Sequence, residues 1–146
     1  MTIEVFTKDI FAENERKSLI KKISHFYPNV KDVRESKIYI VEGPYKKNDF
    51  FKMGKDVFCD FISEDFTISS GRKLKDFIAA EMLFKQGITD VLAQSAAEAL
   101  IAAGFKKPEK ISTGKVFYIK GLKESEAQNA VRECFANELI HRVGIR

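Results

Sequence analysis

Histidine and cysteine are scarce in this chain, with two of each among 146 residues. His25 and His141 stand far apart, and neither has a second ligand three or four residues on. That excludes the common helical metal motifs, and each reads as a surface or interface residue. Cys59 and Cys134 lack CxxC spacing and any accompanying acidic or basic constellation. They read as buried free thiols, with a catalytic or redox pair as the other reading. The eight glycines never form GxGxxG, Gly54-Lys55 lacks the earlier glycine and the Ser/Thr of a Walker loop, and no GxSxG occurs. Phosphate-cradling and nucleophile-elbow chemistry therefore have no sequence support. No apolar run approaches the roughly 18 residues of a membrane span. The segment from Met1 to Asp9 shows neither a basic n-region nor an apolar h-region, so a cytoplasmic location is expected.

The bulk composition is that of an ordinary folded domain: 45% hydrophobic and 32% charged residues. The net charge of +4 falls evenly on the two halves. With no basic tail or block, the high pI is a weak argument for nucleic acid.

The most informative feature is a duplication. Lys37-Ile38-Tyr39-Ile40-Val41-Glu42-Gly43 matches Lys115-Val116-Phe117-Tyr118-Ile119-Lys120-Gly121 at an offset of 78, the distance from 37 to 115 and from 43 to 121. The same offset pairs Val5-Phe6 with Leu83-Phe84, Ile23 with Ile101, Tyr27 with Phe105 and Val33 with Ile111. After the glycine the offset falls to 77, pairing Phe58 with Phe135 and Ile68 with Ile145. Two copies are too few for a solenoid. They predict an α+β protein of two β-α-β-α-β units, residues 1–68 and 77–146, joined by a linker at 69–76. Each unit is near the size at which a lone core is marginal, so the halves should bury apolar surface together.

Periodicity places the elements. In the first copy, Ile3 to Phe6 is a strand, and Leu19, Ile20, Ile23 and Phe26 form the apolar stripe of a helix that Pro28-Asn29 stops. Val33 to Val41 is a strand ending at the turn Gly43-Pro44, Asn48 to Cys59 a helix, and Ile62 to Ile68 the closing strand. In the second, the elements are a strand over Phe77 to Leu83, a helix over Ser95 to Ala103, a strand over Lys115 to Ile119, a helix over Glu124 to Phe135 and a strand over Leu139 to Ile145. Val116 to Ile119 and Ile38 to Val41 are apolar in succession, which predicts strands covered on both faces. Helices of the same half would cover one face and the sheet of the other half the second. The alanines of the second-copy helix permit close approach to a neighbour or simply favour helix.

Two functional classes compete with assembly. Aromatic strands suggest RNA recognition, but the Gly-Phe core with alternating exposed rings that this needs is not supplied by Ile38-Tyr39-Ile40-Val41 or Val116-Phe117-Tyr118-Ile119. Paired small α/β units also suggest a ligand-sensing regulatory module of the ACT type, binding a small molecule between copies.

The second copy resembles the PurS subunit family of phosphoribosylformylglycinamidine synthase. The stretches that carry the resemblance are Asp90 to Ala96, matching the family's loop, and Ala99-Leu100 through Gly104-Phe105, matching its helix end. Gly114-Lys115-Val116-Phe117 matches its strand, and Cys134-Phe135-Ala136-Asn137-Glu138-Leu139-Ile140 its close. The first copy keeps the close as Cys59-Asp60-Phe61-Ile62-Ser63-Glu64-Asp65-Phe66. It is also similar to the start of the large single-chain synthase, where Val33-Arg34 leads into Tyr39-x-Val41-Glu42-Gly43 and a helix into Val57-Phe58. Val91, Ala93 and Glu138 depart from the family's proline, glycine and proline.

The resemblance implies a non-catalytic subunit that bridges a synthetase and a glutaminase and supports ammonia transfer in purine biosynthesis. ATP, Mg and glutamine would be used by the partner subunits, with no cofactor, metal or catalytic residue on this chain. It implies neither a nucleic-acid nor a membrane partner, and leaves room for a further homodimer. Loops carry recognition where strands are occupied by packing. Lys46, Lys47, Asn48, Lys123, Glu124, Asn137 and His141 are therefore the candidates for partner contact.

Overall fold

The computed structural model describes all 146 residues as an α+β fold. Strand β1 (Thr2–Thr7) is followed by a 3-10 turn (Asp9–Phe11), helix α1 (Glu13–Ser24) and strand β2 (Asp32–Glu42). Helix α2 (Lys47–Met53) runs into a π turn (Gly54–Phe58) and then strand β3 (Glu64–Ile68). The second copy contributes β4 (Ile78–Phe84), α3 (Val91–Ala102), β5 (Lys110–Lys120), α4 (Glu124–Cys134) and β6 (His141–Ile145). No helix is long and apolar enough to cross a membrane.

Local chemistry explains the helix ends. Glu13 and Glu15 sit in the first turn of α1 and Lys21 and Lys22 in its last, complementing the helix dipole. Asp90 caps α3 by accepting from the Ala93 N–H at 2.9 Å, and also takes the Thr113 N–H at 2.7 Å. In α2 and α4 the third residue reaches back: Asp49 accepts from the Lys46 N–H and Glu126 from the Lys123 N–H.

All six strands form one sheet in the order β3-β1-β2-β5-β4-β6. The order is unchanged when the strands of one copy are exchanged for those of the other. The second face of a strand is thus not covered by a stacked sheet from the other half, as expected from the apolar runs, because β2 and β5 are neighbours within the sheet. Val116 to Ile119 are nevertheless all buried; in the first copy Ile38 and Val41 are buried and Tyr39 and Ile40 half-buried.

Contacts divide the chain into two compact units, and neither unit is a sequence half. The first comprises Met1–Lys8, Lys37–Arg72 and Thr89–Thr113. Its core joins Ile3, Val5, Val41, Phe50, Met53 and Phe58 to Ala96 and Leu100 of α3. The second comprises Asp9–Ser36, Lys73–Ile88 and Gly114–Arg146. Its core joins Ala80, Met82, Phe117, Ile119, Ala127, Ala130 and Val131 to Leu19 and Ile23 of α1 and to Val33. Each copy's first helix therefore fills the core of the unit built on the other copy's strands. The expectation that a half's own helices cover its strands is corrected for α1 and α3. A 3.6-residue stripe tells which face of a helix is buried, but not which strands it meets.

The backbone also corrects the register of the duplication. β1 pairs with β3 from Ile3↔Ile68 to Thr7↔Glu64, and β4 with β6 from Ala80↔Ile145 to Phe84↔His141. The offset is 77 at all four ends, so Val5 corresponds to Met82 and not to Leu83. Likewise Ile23 corresponds to Leu100: both are fully buried, whereas Ile101 is 48% exposed. Matching by residue identity favoured isoleucine on isoleucine, but in a helix a one-residue shift turns a side chain by about 100°. The offset becomes 78 between α3 and β5 and returns to 77 after Gly121.

The matched glycines do different work. Gly121 has φ +97°, and a Cβ there would lie 2.5 Å from the Asn29 carbonyl oxygen. Gly43 has no positive φ, and its Cβ would lie 2.4 Å from the edge of the Tyr45 ring, a side chain that can shift where the Asn29 backbone cannot. Gly121→Ala is expected to cost about 1–3 kcal/mol, the scale of a forced left-handed backbone, and Gly43→Ala less. Urea midpoints of the two variants check the order; equal losses would refute it.

Candidate functional site

The partner-contact candidates fall in places set by helix ends and turns. Lys46 caps α2, and Lys47 and Asn48 open its first turn, all three exposed. Lys123 and Glu124 hold the same positions on α4. Asn137 and His141 bracket the turn beyond the other end of α4. An 11-residue helix is about 16 Å long, so these two pairs are not brought together.

The turn around Asn137 repeats most of the bonds around Asp60; the Ile140 N–H differs, donating to the Asn137 carbonyl where the Ser63 N–H donates to the Asp60 side chain. The Asp60 side chain accepts from the N–H groups of Ile62 and Ser63, and that of Asn137 from the N–H of Leu139. The Glu64 N–H donates to the Asp60 carbonyl and the His141 N–H to the Asn137 carbonyl, both at 2.8 Å. Lys8 and Lys85 close the two turns: each N–H donates across the hairpin, and each ammonium donates to a turn carbonyl, Phe61 and Glu138 respectively.

Side-chain chemistry separates the copies. The Asp60 N–H donates to the Glu64 carboxylate at 2.9 Å, whereas the Asn137 N–H donates to Nδ1 of His141 at 3.0 Å. An accepting Nδ1 requires a neutral imidazole, with its proton on Nε2. Burial, and secondarily Lys115, hold the His141 pKa below its ordinary 6.5. The unfolded chain then takes up the proton first as pH falls. Stability from neutral His141 should be complete above about 6.5 and lost as pH falls through the lower folded-state value. Urea unfolding across that range should show an acid-side loss that His141→Gln reduces. An unchanged loss in the variant would show that His141 does not carry it.

His141 lines a cleft of about 310 Å³ with Lys85, Arg132, Ala136, Glu138, Arg142 and Val143. The basic residues here were missed from sequence. The 77-residue offset held the signal, since it sets Glu64-Asp65 against His141-Arg142.

The cysteines are half-buried free thiols, more open than expected because each follows the end of its helix's buried stripe. Burial raises both pKa values, which opposes thiolate formation. No group of three or more His, Cys, Asp or Glu side chains is placed to hold a metal ion. Comparison with models of known protein families finds no match, and comparison with curated proteins finds none either.

Proposed function

We propose that the chain is a non-catalytic bridging subunit of phosphoribosylformylglycinamidine synthase, a tandem PurS-like protein acting in the cytoplasm. It would join a synthetase to a glutaminase and support ammonia transfer in the conversion of formylglycinamide ribonucleotide to formylglycinamidine ribonucleotide. The observation that carries this reading is the order of the PurS-like stretches, from Asp90 through Gly104-Phe105 and Gly114-Lys115 to Ala136-Asn137, within a chain that contains the unit twice. ATP, Mg and glutamine belong to the partners in this reading. Exposed helix starts at Lys46–Asn48 and Lys123–Glu124 and the turn at Asn137–His141 are its contact points.

Ring placement favours this over RNA binding. Tyr39 stacks on Phe58 at 4.1 Å and Phe117 on Phe135 at 4.3 Å. Rings spent on internal stacking are not free to stack bases.

Complementation tests the proposal. Deleting the encoding gene should create a purine requirement, and the purified chain should restore activity to the other two subunits. Full-rate product formation from glutamine without it would refute the role. The chain alone should turn over no glutamine; turnover abolished by Cys59→Ser or Cys134→Ser would also refute it.

A further inference from the structure

We propose that the cleft beside β6 is a binding site for a small phosphate-type dianion, held by Arg132, Arg142, Lys85 and His141. This goes beyond the bridging role and does not depend on it.

Three fixed cations and one acid, Glu138, line the cleft with His141. The Lys85 ammonium is already anchored on the Glu138 carbonyl, which holds a positive charge at the rim without using the Glu138 carboxylate. Because Nδ1 of His141 is occupied in accepting the Asn137 N–H, Nε2 carries the imidazole proton and is a donor. Guanidinium forks match phosphate oxygens in pairs, which a compact ammonium cannot do. At about 310 Å³ the cleft lies at the lower end of the range for small-ligand sites, so a small ligand fits and a large one does not.

The duplication supplies an internal control. At the 77-residue offset, the first-copy counterparts of Lys85, Arg132, His141 and Arg142 are Lys8, Lys55, Glu64 and Asp65. The two turns share the bond from residue 64 or 141 back to the carbonyl of residue 60 or 137 and the lysine closure, yet two acids in one copy stand where a histidine and an arginine stand in the other. A purely structural turn needs only an acceptor at residue 64 or 141, and either side chain supplies it. At the next residue, Asp65 accepts the Phe66 N–H at 2.8 Å, a bond an arginine cannot make, so Arg142 gives up that local contact and adds a cation to the cleft.

The charged groups around His141 are Lys115 from β5, which is ion-paired with Glu35 of β2 at 2.6 Å, Lys85 at the end of β4, Arg132 from α4, Glu138 from the turn and Arg142 from β6. A bound dianion would offset their field and favour the imidazolium, so phosphate should raise the His141 pKa.

The test is an NMR titration of the His141 ring proton Hε1 in the full chain with inorganic phosphate. Chloride and acetate at matched ionic strength are the comparisons. A saturable displacement and a raised titration midpoint are expected with phosphate only. Arg142→Asp, which installs the first copy's residue at an exposed edge-strand position, should weaken phosphate binding by about tenfold or more, the factor one charge-assisted hydrogen bond supplies. Arg132→Gln should weaken it in the same direction. Equal displacement by chloride or acetate, or unchanged phosphate affinity in both folded variants, would overturn the site.

Discussion

Residues 1–73 and 74–146, expressed as separate chains, should each fail to fold as a cooperative monomer. The first fragment keeps Ile3, Val5, Val41, Phe50, Met53 and Phe58 but loses Ala96 and Leu100, which complete that core. The second keeps Phe117, Ile119, Ala127, Ala130 and Val131 but loses Leu19, Ile23 and Val33. Burying one Leu or Ile side chain is worth about 1.5–3 kcal/mol, against a total domain stability of about 5–15 kcal/mol. Each fragment would also expose an open strand edge, because β2 and β5 are sheet neighbours. Self-pairing is the available remedy. Leu19 and Ile23 correspond to Ala96 and Leu100 at the same offset, so a second copy of the first fragment could offer α1 where α3 is missing. Homodimers or aggregates are therefore expected in light scattering, and mixing the fragments should restore one urea transition. A soluble monomer of either fragment that unfolds cooperatively would contradict the exchanged helices.

Strands and helices were legible wherever apolar spacing was regular. β2 and β5 were found because Ile38 to Val41 and Val116 to Ile119 are apolar runs flanked by glycine. The helix α3 starts four residues before Ser95, at Val91, because Asp90 caps it. Val91 and Leu92 are exposed, so they add nothing to the apolar stripe and hid that first turn. The 3-10 turn at Asp9–Phe11 left no signal, having no buried residue. Helix exchange was not legible at all, since the sequence gives each helix a buried face without giving its partner.

The site was partly legible for a related reason. Asn137 and His141 stood out as polar residues in a closing turn, but Lys85 and Arg132 belong to segments distant in sequence and converge only through the β4–β6 pairing and the end of α4. Lys46 and Lys123, loop residues by sequence, are helix caps in the structure. Their N–H groups are committed to Asp49 and Glu126, leaving the ammonium groups as the parts open to a partner.

Phe117→Ala should produce the largest loss of any single substitution considered. Phe117 is 1% exposed, and its ring lies almost parallel to that of Phe135, 6° apart in plane. Truncation removes the transfer free energy of the ring and leaves a cavity that the surrounding core fills only in part. That costs about 3–5 kcal/mol. The aromatic pair contributes about 0.5–1.5 kcal/mol beyond burial. The duplication again provides the control: Tyr39 makes the equivalent stack on Phe58 but is only half-buried. Water already reaches part of the Tyr39 ring, although burial still pushes its hydroxyl pKa up. Tyr39→Ala should therefore cost clearly less than Phe117→Ala, and Phe117→Leu less than either alanine variant, because it retains most of the buried volume. Urea unfolding of the three variants measures the order directly. A loss below about 1 kcal/mol for Phe117→Ala, with an unchanged urea slope, would mean that this ring does not organise the second core.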